Sequence, residues 1–311
     1  MQWTLTPVPP FRLELPVWGL RRRPINSVDC WETGAWQRVL LVEGRPLLVT
    51  VVQTGPVDAA QLAVSATGDL RSGDEQTVKA TVAHMLDIHR DLTGFYTLAA
   101  QDAILSPLAA RFRGLRAPQF ANLYETLVNT IACQQVTLGF GLTMLNRLAA
   151  AYGPGVETPS GPLHALPSPE ILAGIPLEEL RGLQFSGAKA RALHEVAIAQ
   201  LEGRLDAQAL AALDDDQVIA NLTRLWGVGR WTAEVALLRG LGRLTRFPGD
   251  DVGARNRLRR FLGLSHPLDY AATQAIVARW QPYSGLLYFL MLFDRLAAEG
   301  VISSGPLSGP S

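Results

Sequence analysis

The sequence predicts an α+β chain: a small antiparallel sheet domain with flanking helices over residues 1–100, then a mainly α-helical body over residues 101–300. Three observations predict it. Short runs of β-branched and aromatic residues, separated by turn residues, fill the first part. Ten helical runs follow from about Phe95 onward. Two of these, within residues 215–241, meet at Gly227-Val228-Gly229, a turn so short that the helices must pack on each other.

In the first part, residues 11–20, 36–42, 46–53 and 61–66 read as strands. Glu43-Gly44-Arg45 separates two apolar runs and marks a hairpin, with Gly44 free to take φ > 0. A helix over residues 74–92 closes the region. The helical body reads as 103–112, 120–133, 137–152, 168–173, 188–201, 215–225, 230–241, 251–262, 270–280 and 285–299. Gly153-Pro154-Gly155 and Gly161-Pro162 punctuate the one long loop. Asp215 or Asp216 can cap the helix beginning there. Residues 301–311, rich in Ser, Gly and Pro, read as a disordered tail.

Length and composition fit roughly two globular domains with ample core: 311 residues, 48% hydrophobic and 18% charged. No apolar run reaches the roughly 18 residues of a membrane span. The first residues lack a basic start and a clean apolar stretch, so no signal peptide is read. Two cysteines, Cys30 and Cys133, build no disulfide framework and point to a reducing, cytoplasmic setting. The five histidines show no metal-ligand spacing.

Residues 222–253 are the most informative. Bare backbone at Gly227 and Gly229 can approach a ligand, and both residues can take φ > 0. Their N–H groups stand at the start of the second helix, where an anion is favoured. Asp251 follows 22 residues after Gly229, in Pro248-Gly249-Asp250-Asp251. An anion cradle followed by a carboxylate suggests phosphate grip joined to chemistry.

This stretch, GVGRWTAE with FPGDD, resembles the helix-hairpin-helix DNA glycosylases, and most of all their bacterial 3-methyladenine DNA glycosylase II branch. The likeness runs from about Ala117 to about Arg295. It includes Ile131-Ala132-Cys133-Gln134-Gln135-Val136 and Arg279-Trp280-Gln281-Pro282-Tyr283. The resemblance implies base excision repair: hydrolysis of the N-glycosidic bond of alkylated bases, of the 3-methyladenine or 7-methylguanine type, flipped out of duplex DNA. Nine arginines against three acids between Leu222 and Leu262 then read as a DNA-facing surface, although the whole chain carries no net charge. A solvated helical face is the plainer alternative.

The resemblance makes Asp251 the catalytic carboxylate, which would stabilise an oxocarbenium-like sugar or activate water. A simple helix cap is the alternative, and Asp250 suits a capping or supporting role better. Glycosylases that also cut the strand carry a lysine just after the hairpin; here stands Trp231, and the only lysines are Lys79 and Lys189. That implies a monofunctional enzyme. Trp231 matches a tryptophan of the base pocket, where a cationic base would gain by stacking. Val235 and Leu292 stand where the branch carries tyrosine and tryptophan, so either the pocket is wider and less selective, or Trp18, Tyr283 or Tyr288 supplies the missing aromatic faces.

Gly227, Gly229, Arg230, Thr232, Gln134 and Gln135 are expected to bind DNA, with Gln135 in the place of the wedge that fills the gap left by the flipped nucleotide. The resemblance also implies a monovalent cation on the backbone carbonyls of Thr223, Leu225 and Val228. Two cysteines rule out the four-cysteine iron–sulfur cluster of some members. The expected partner is duplex DNA with damaged bases, bound by a monomer without a membrane. A glycosylase for other damaged or mismatched bases, or a non-enzymatic DNA-binding module, are the rival readings.

Overall fold

The computed structural model describes residues 1–303; the tail expected to be disordered lies outside the described residues from 304 onward. The chain runs β1 (Gln2–Leu5), α1 (Glu14–Arg21), β2 (Cys30–Glu32), β3 (Ala35–Val42), β4 (Arg45–Thr54), β5 (Gln61–Gly68) and α2 (Asp74–Leu86). Then come α3 (Thr93–Ala100), α4 (Leu105–Arg111), α5 (Leu123–Cys133), α6 (Leu138–Tyr152), β6 (Gly155–Val156), β7 (Leu163–His164), α7 (Pro169–Gly174) and α8 (Leu177–Gly182). The last elements are α9 (Gly187–Leu201), α10 (Ala207–Ala211), α11 (Asp215–Leu222), α12 (Arg230–Gly240), α13 (Val252–Phe261), α14 (Tyr270–Val277) and α15 (Ser284–Ala298). No helix among the described residues is long and apolar enough to cross a membrane.

β1 to β5 form one antiparallel sheet in the order β1-β5-β4-β3-β2. Val42 faces Arg45 across a two-residue turn, with Glu43 at φ 50° and Gly44 at φ 76°. Positive φ at both positions matches the right-handed twist of the strands it joins. One sheet face buries Trp36, Leu40, Val49, Val51, Leu62 and Val64 against Val78, Val82, Met85 and Leu86 of α2.

Residues 11–20, expected as a strand, instead contain helix α1. Pro16 lies in its first turn, where a missing N–H costs nothing. Every residue of the helix but Arg21 is buried, and a run this short reads equally as a buried strand. Val17 and Leu20 pack with the sheet, Leu15 and Trp18 with the helical body. The expected 74–92 helix stops at Leu86 because Asp87 turns left-handed at φ 52°.

The helical body has two cores. One joins α5 to α12, with Leu127, Ile131, Leu193, Val218, Leu222 and Leu237 at its centre. The other joins α3 and α4 to the C-terminal helices, with Phe95, Phe112, Phe247, Phe289 and Phe293 at its centre. The first helices of the body thus pack with the last. Arg38 of β3 bridges sheet and helices: buried, it donates to Asp29 at 2.9 Å and to Glu125 of α5 at 2.6 Å.

The run Asp214-Asp215-Asp216 divides its roles differently from the expectation. Asp214 caps α11 in a reciprocal pair with Gln217, while Asp215 and Asp216 hold Arg243 and Arg246. A carboxylate one residue further back reaches the free N–H groups with the better geometry.

Candidate active site

The hairpin is built on buried Leu225 and Val228, which anchor the turn in the first helical core. Gly227 is at φ 82°, and a Cβ there would collide with Ala192 Cβ. Gly229 differs from the expectation: it is extended at φ −91°, ψ 178°, and a Cβ built there meets nothing within 4 Å. Only Gly227 needs a left-handed backbone. Gly229 is instead the N-cap of α12 and offers no side chain to the first-turn N–H groups of Arg230, Trp231 and Thr232. Those donors face open space at the positive end of a helix, where an anion binds. The exposed Arg230 guanidinium lies 5.0 Å from the Tyr270 ring centre.

Two residues expected at the DNA line the groove and also hold the turn itself. Gln134 Nε2 donates to the Gly227 carbonyl and to Thr232 Oγ1, both at 2.9 Å, and Thr232 is buried. They lock the hairpin to the α5–α6 turn. Gln135, at the tip of that turn, is exposed and left-handed at φ 52°.

Asp251, not Asp250, caps α13. Its Oδ1 accepts the Ala254 N–H at 2.8 Å, and its Oδ2 accepts the Tyr288 hydroxyl at 3.3 Å. The Tyr288 phenol is pushed up to about 12, by burial first and then by the Asp251 charge, so it stays a donor. Asp250 lies 3.7 Å from Arg255. Cap and candidate catalytic group are one residue because the carboxylate has two oxygens and α13 begins immediately after it.

Behind the Asp250-Asp251 loop, buried Glu234 of α12 accepts the Tyr270 hydroxyl at 2.7 Å. Burial pushes its carboxyl above the ordinary value, against the Tyr270 bond, which pulls the other way.

Asp251 lines a cavity of about 310 Å³ with Trp231, Val235, Leu292, Phe120 and Tyr288. Val235 and Leu292 stand in its wall as the resemblance implies. Trp18 and Tyr283 do not line it. Trp18 is buried in the second core, and Tyr283 sets its ring edge-on to Phe95 at 5.8 Å. Phe120 and Tyr288 supply the aromatic faces instead. A wide groove adjoins the cavity, sharing Trp231 and Asp251 with it and walled by Gln135, Trp226 and Gly229.

Four arginines also line the cavity: Arg22, Arg239, Arg257 and Arg295. Sequence reasoning missed this. Arg22 lies far outside the motif region, and Arg239, 3% exposed, looks like an ordinary helix-face charge. Burial, and then the charge of Arg22, pushes Arg239 down to about 9.

A family model described as HhH-GPD superfamily base excision DNA repair protein matches residues 128–282. The chain is 28% identical over 207 residues to DNA-3-methyladenine glycosylase of Bacillus subtilis (strain 168), covering 66% of this chain and 68% of that protein. It is 30% identical over 179 residues to DNA-3-methyladenine glycosylase 2 of Escherichia coli (strain K12), covering 58% of this chain and 60% of that protein. In fold it is similar to a 3-methyladenine DNA-glycosylase from Archaeoglobus fulgidus, with a TM-score of 0.81 at 23% identity over 94% of this chain and 98% of that one. Matching sequence over residues 128–282 places the chain in the helix-hairpin-helix DNA glycosylase superfamily, on its 3-methyladenine glycosylase II-like branch.

Proposed function

We propose that this chain is a monofunctional DNA glycosylase of base excision repair, hydrolysing the N-glycosidic bond of alkylated bases flipped out of duplex DNA. The observation that carries this reading is the position of Asp251. Its carboxylate forms part of the wall shared by the cavity and by the groove against the hairpin. A nucleotide whose phosphate sits on the first-turn N–H groups of α12 would bring its sugar past Asp251 and its base into the cavity.

There the C1′–N bond breaks, its electron pair leaves with the base, and water adds to C1′ while its proton passes to Asp251. The carboxylate offsets the positive charge that develops on the sugar. Tyr288 and the Ala254 N–H hold the carboxylate in place. Gln135, exposed at the rim of the groove, is suited to fill the gap in the duplex.

Hydrolysis without strand cutting is supported by where the amines are. The hairpin carries no lysine, and buried Lys189 directs its ammonium to the Ala132 carbonyl at 2.7 Å. The carbonyls of Thr223, Leu225 and Val228 would hold a monovalent cation that reinforces the phosphate grip. Leu225 already accepts the Val228 N–H at 3.1 Å and retains a second lone pair. The chain is proposed to act as a monomer.

The test is release of free base from methylated duplex, with borohydride present in parallel. Base release, an intact abasic strand and no trapped complex are expected. No release from any alkylated duplex would sink the reading, and a trapped complex through Lys189 would overturn its monofunctional part.

A further inference from the structure

The arginines of the cavity lack countercharges. Elsewhere buried arginines such as Arg12 and Arg38 sit on carboxylates. Among the described residues, Arg22, Arg239 and Arg257 form no ion pair, and Arg295 has only Glu299 at 3.8 Å. Arg22 spends three of its five N–H donors, on the Leu20 carbonyl at 3.3 Å, on Asn129 Oδ1 at 2.8 Å and weakly on Cys133 Sγ at 3.7 Å. Arg239 donates to the Gly19 carbonyl at 2.7 Å, and its Nε has no partner. The Nε of Arg257 and of Arg295 are also buried and unpartnered.

Arg22 and Arg239 both lie over the Phe120 ring, at 5.5 and 4.2 Å from its centre. Arg22 is held there at φ 61°, outside the ordinary region for a side-chain-bearing residue. Buried charges without partners are costly, and like charges in one cavity more so. A cluster of this kind is completed by a ligand that brings lone pairs or negative charge. The only carboxylate lining the cavity, Asp251, already has Tyr288 and a backbone N–H on its oxygens.

We propose that this cavity reads a base by its hydrogen-bond acceptor edge, with Arg22 and Arg239 as donors, and accelerates release of neutral oxo- or aza-edged bases more than release of cationic alkylated ones. The inference rests on the glycosylase reading above and extends it to bases that carry no alkyl group. When the C1′–N bond of a neutral base breaks, the electron pair stays on the base nitrogen and the base departs as an anion. Guanidinium N–H groups stabilise that developing charge. A base already cationic departs neutral, gains nothing from them, and is repelled on entry.

The experiment compares duplexes carrying hypoxanthine or 7-methylguanine at the same position. Both bases have a carbonyl at C6, but only hypoxanthine is neutral with a free N7. Single-turnover release by the full chain is divided by the spontaneous loss of the same base, which removes the intrinsic lability of the cation. The wild type is expected to show the larger enhancement for hypoxanthine. Arg22→Gln should lower the hypoxanthine-to-7-methylguanine ratio of enhancements by about tenfold, the size of one charge-assisted hydrogen bond. Should Arg22→Gln fail to fold by thermal unfolding, Arg22→Lys decides, since it keeps the charge but loses the guanidinium's fixed fork of donors, with the same direction expected. A wild-type ratio favouring 7-methylguanine, or a ratio unmoved by the folded variant, would overturn this inference and leave the glycosylase reading standing. Release of neither base, nor of any alkylated base, would overturn both.

Discussion

Tyr288 donates to one oxygen of Asp251 at 3.3 Å, while the other oxygen caps α13 through the Ala254 N–H at 2.8 Å. The carboxylate is thus held at both ends, and its free lone pairs face the cavity. Removing the hydroxyl alone separates positioning from charge. Tyr288→Phe should slow base release by about tenfold, on the order of one hydrogen bond to a charged group, with little change in DNA affinity. Single-turnover rates and binding titrations check this. An unchanged rate would mean that the phenol does not orient the carboxylate.

The two hairpin glycines should respond differently. Gly227→Ala forces a side chain into a left-handed backbone and against Ala192, so it should cost about 1–2 kcal/mol in chemical unfolding. Gly229→Val has open space and an ordinary extended backbone, so it should cost only about 1 kcal/mol or less, from the poorer N-cap. Its bulk stands where a phosphate would lie, so affinity for damaged and undamaged duplex should fall alike. Loss of lesion binding alone would assign the hairpin to the base pocket.

Val235 stands in the cavity wall, one turn beyond Trp231. Val235→Tyr should narrow the range of bases released, with the largest losing most. A substrate profile left unchanged would show that the side chain at this position points away from the base.

Glu234 offers a test by pH. Its native carboxyl is raised by burial, so the stability it contributes is full below the ordinary glutamate value and is lost as pH rises through the raised native value. Glu234→Gln removes that loss. The melting temperature of the wild type should fall relative to the variant from about pH 4 to pH 7. A difference that does not change with pH would mean that the carboxyl ionises at no cost.

How far the sequence could be read follows from what signals each residue carries. GVGRWTAE and FPGDD were legible because short spacings and glycine chemistry encode the hairpin locally, and Trp231, Val235, Leu292 and Asp251 do line one cavity. Helix α1 was hidden, since a short buried apolar run reads as strand or helix alike. Arg22 was hidden as well: only the packing of α1 between sheet and helices brings residue 22 to the site. Trp18 and Tyr283 were misplaced because aromatic character says nothing about which core a ring enters. Gln134 and Thr232 do line the groove, and their bonds to each other and to Gly227 add a role in holding the turn that residue type alone does not encode.

Asp251→Asn is the most direct test. Asparagine keeps the shape and caps helices as well as aspartate does, so folding and lesion-duplex affinity should persist. What it removes is the charge facing the sugar. Single-turnover release of an alkylated base should fall by at least about a hundredfold, the scale of losing one preorganised electrostatic group, while binding of the same duplex stays near wild type. Release at near the wild-type rate by a folded, DNA-binding Asp251→Asn protein would contradict the assignment of Asp251 as the catalytic carboxylate.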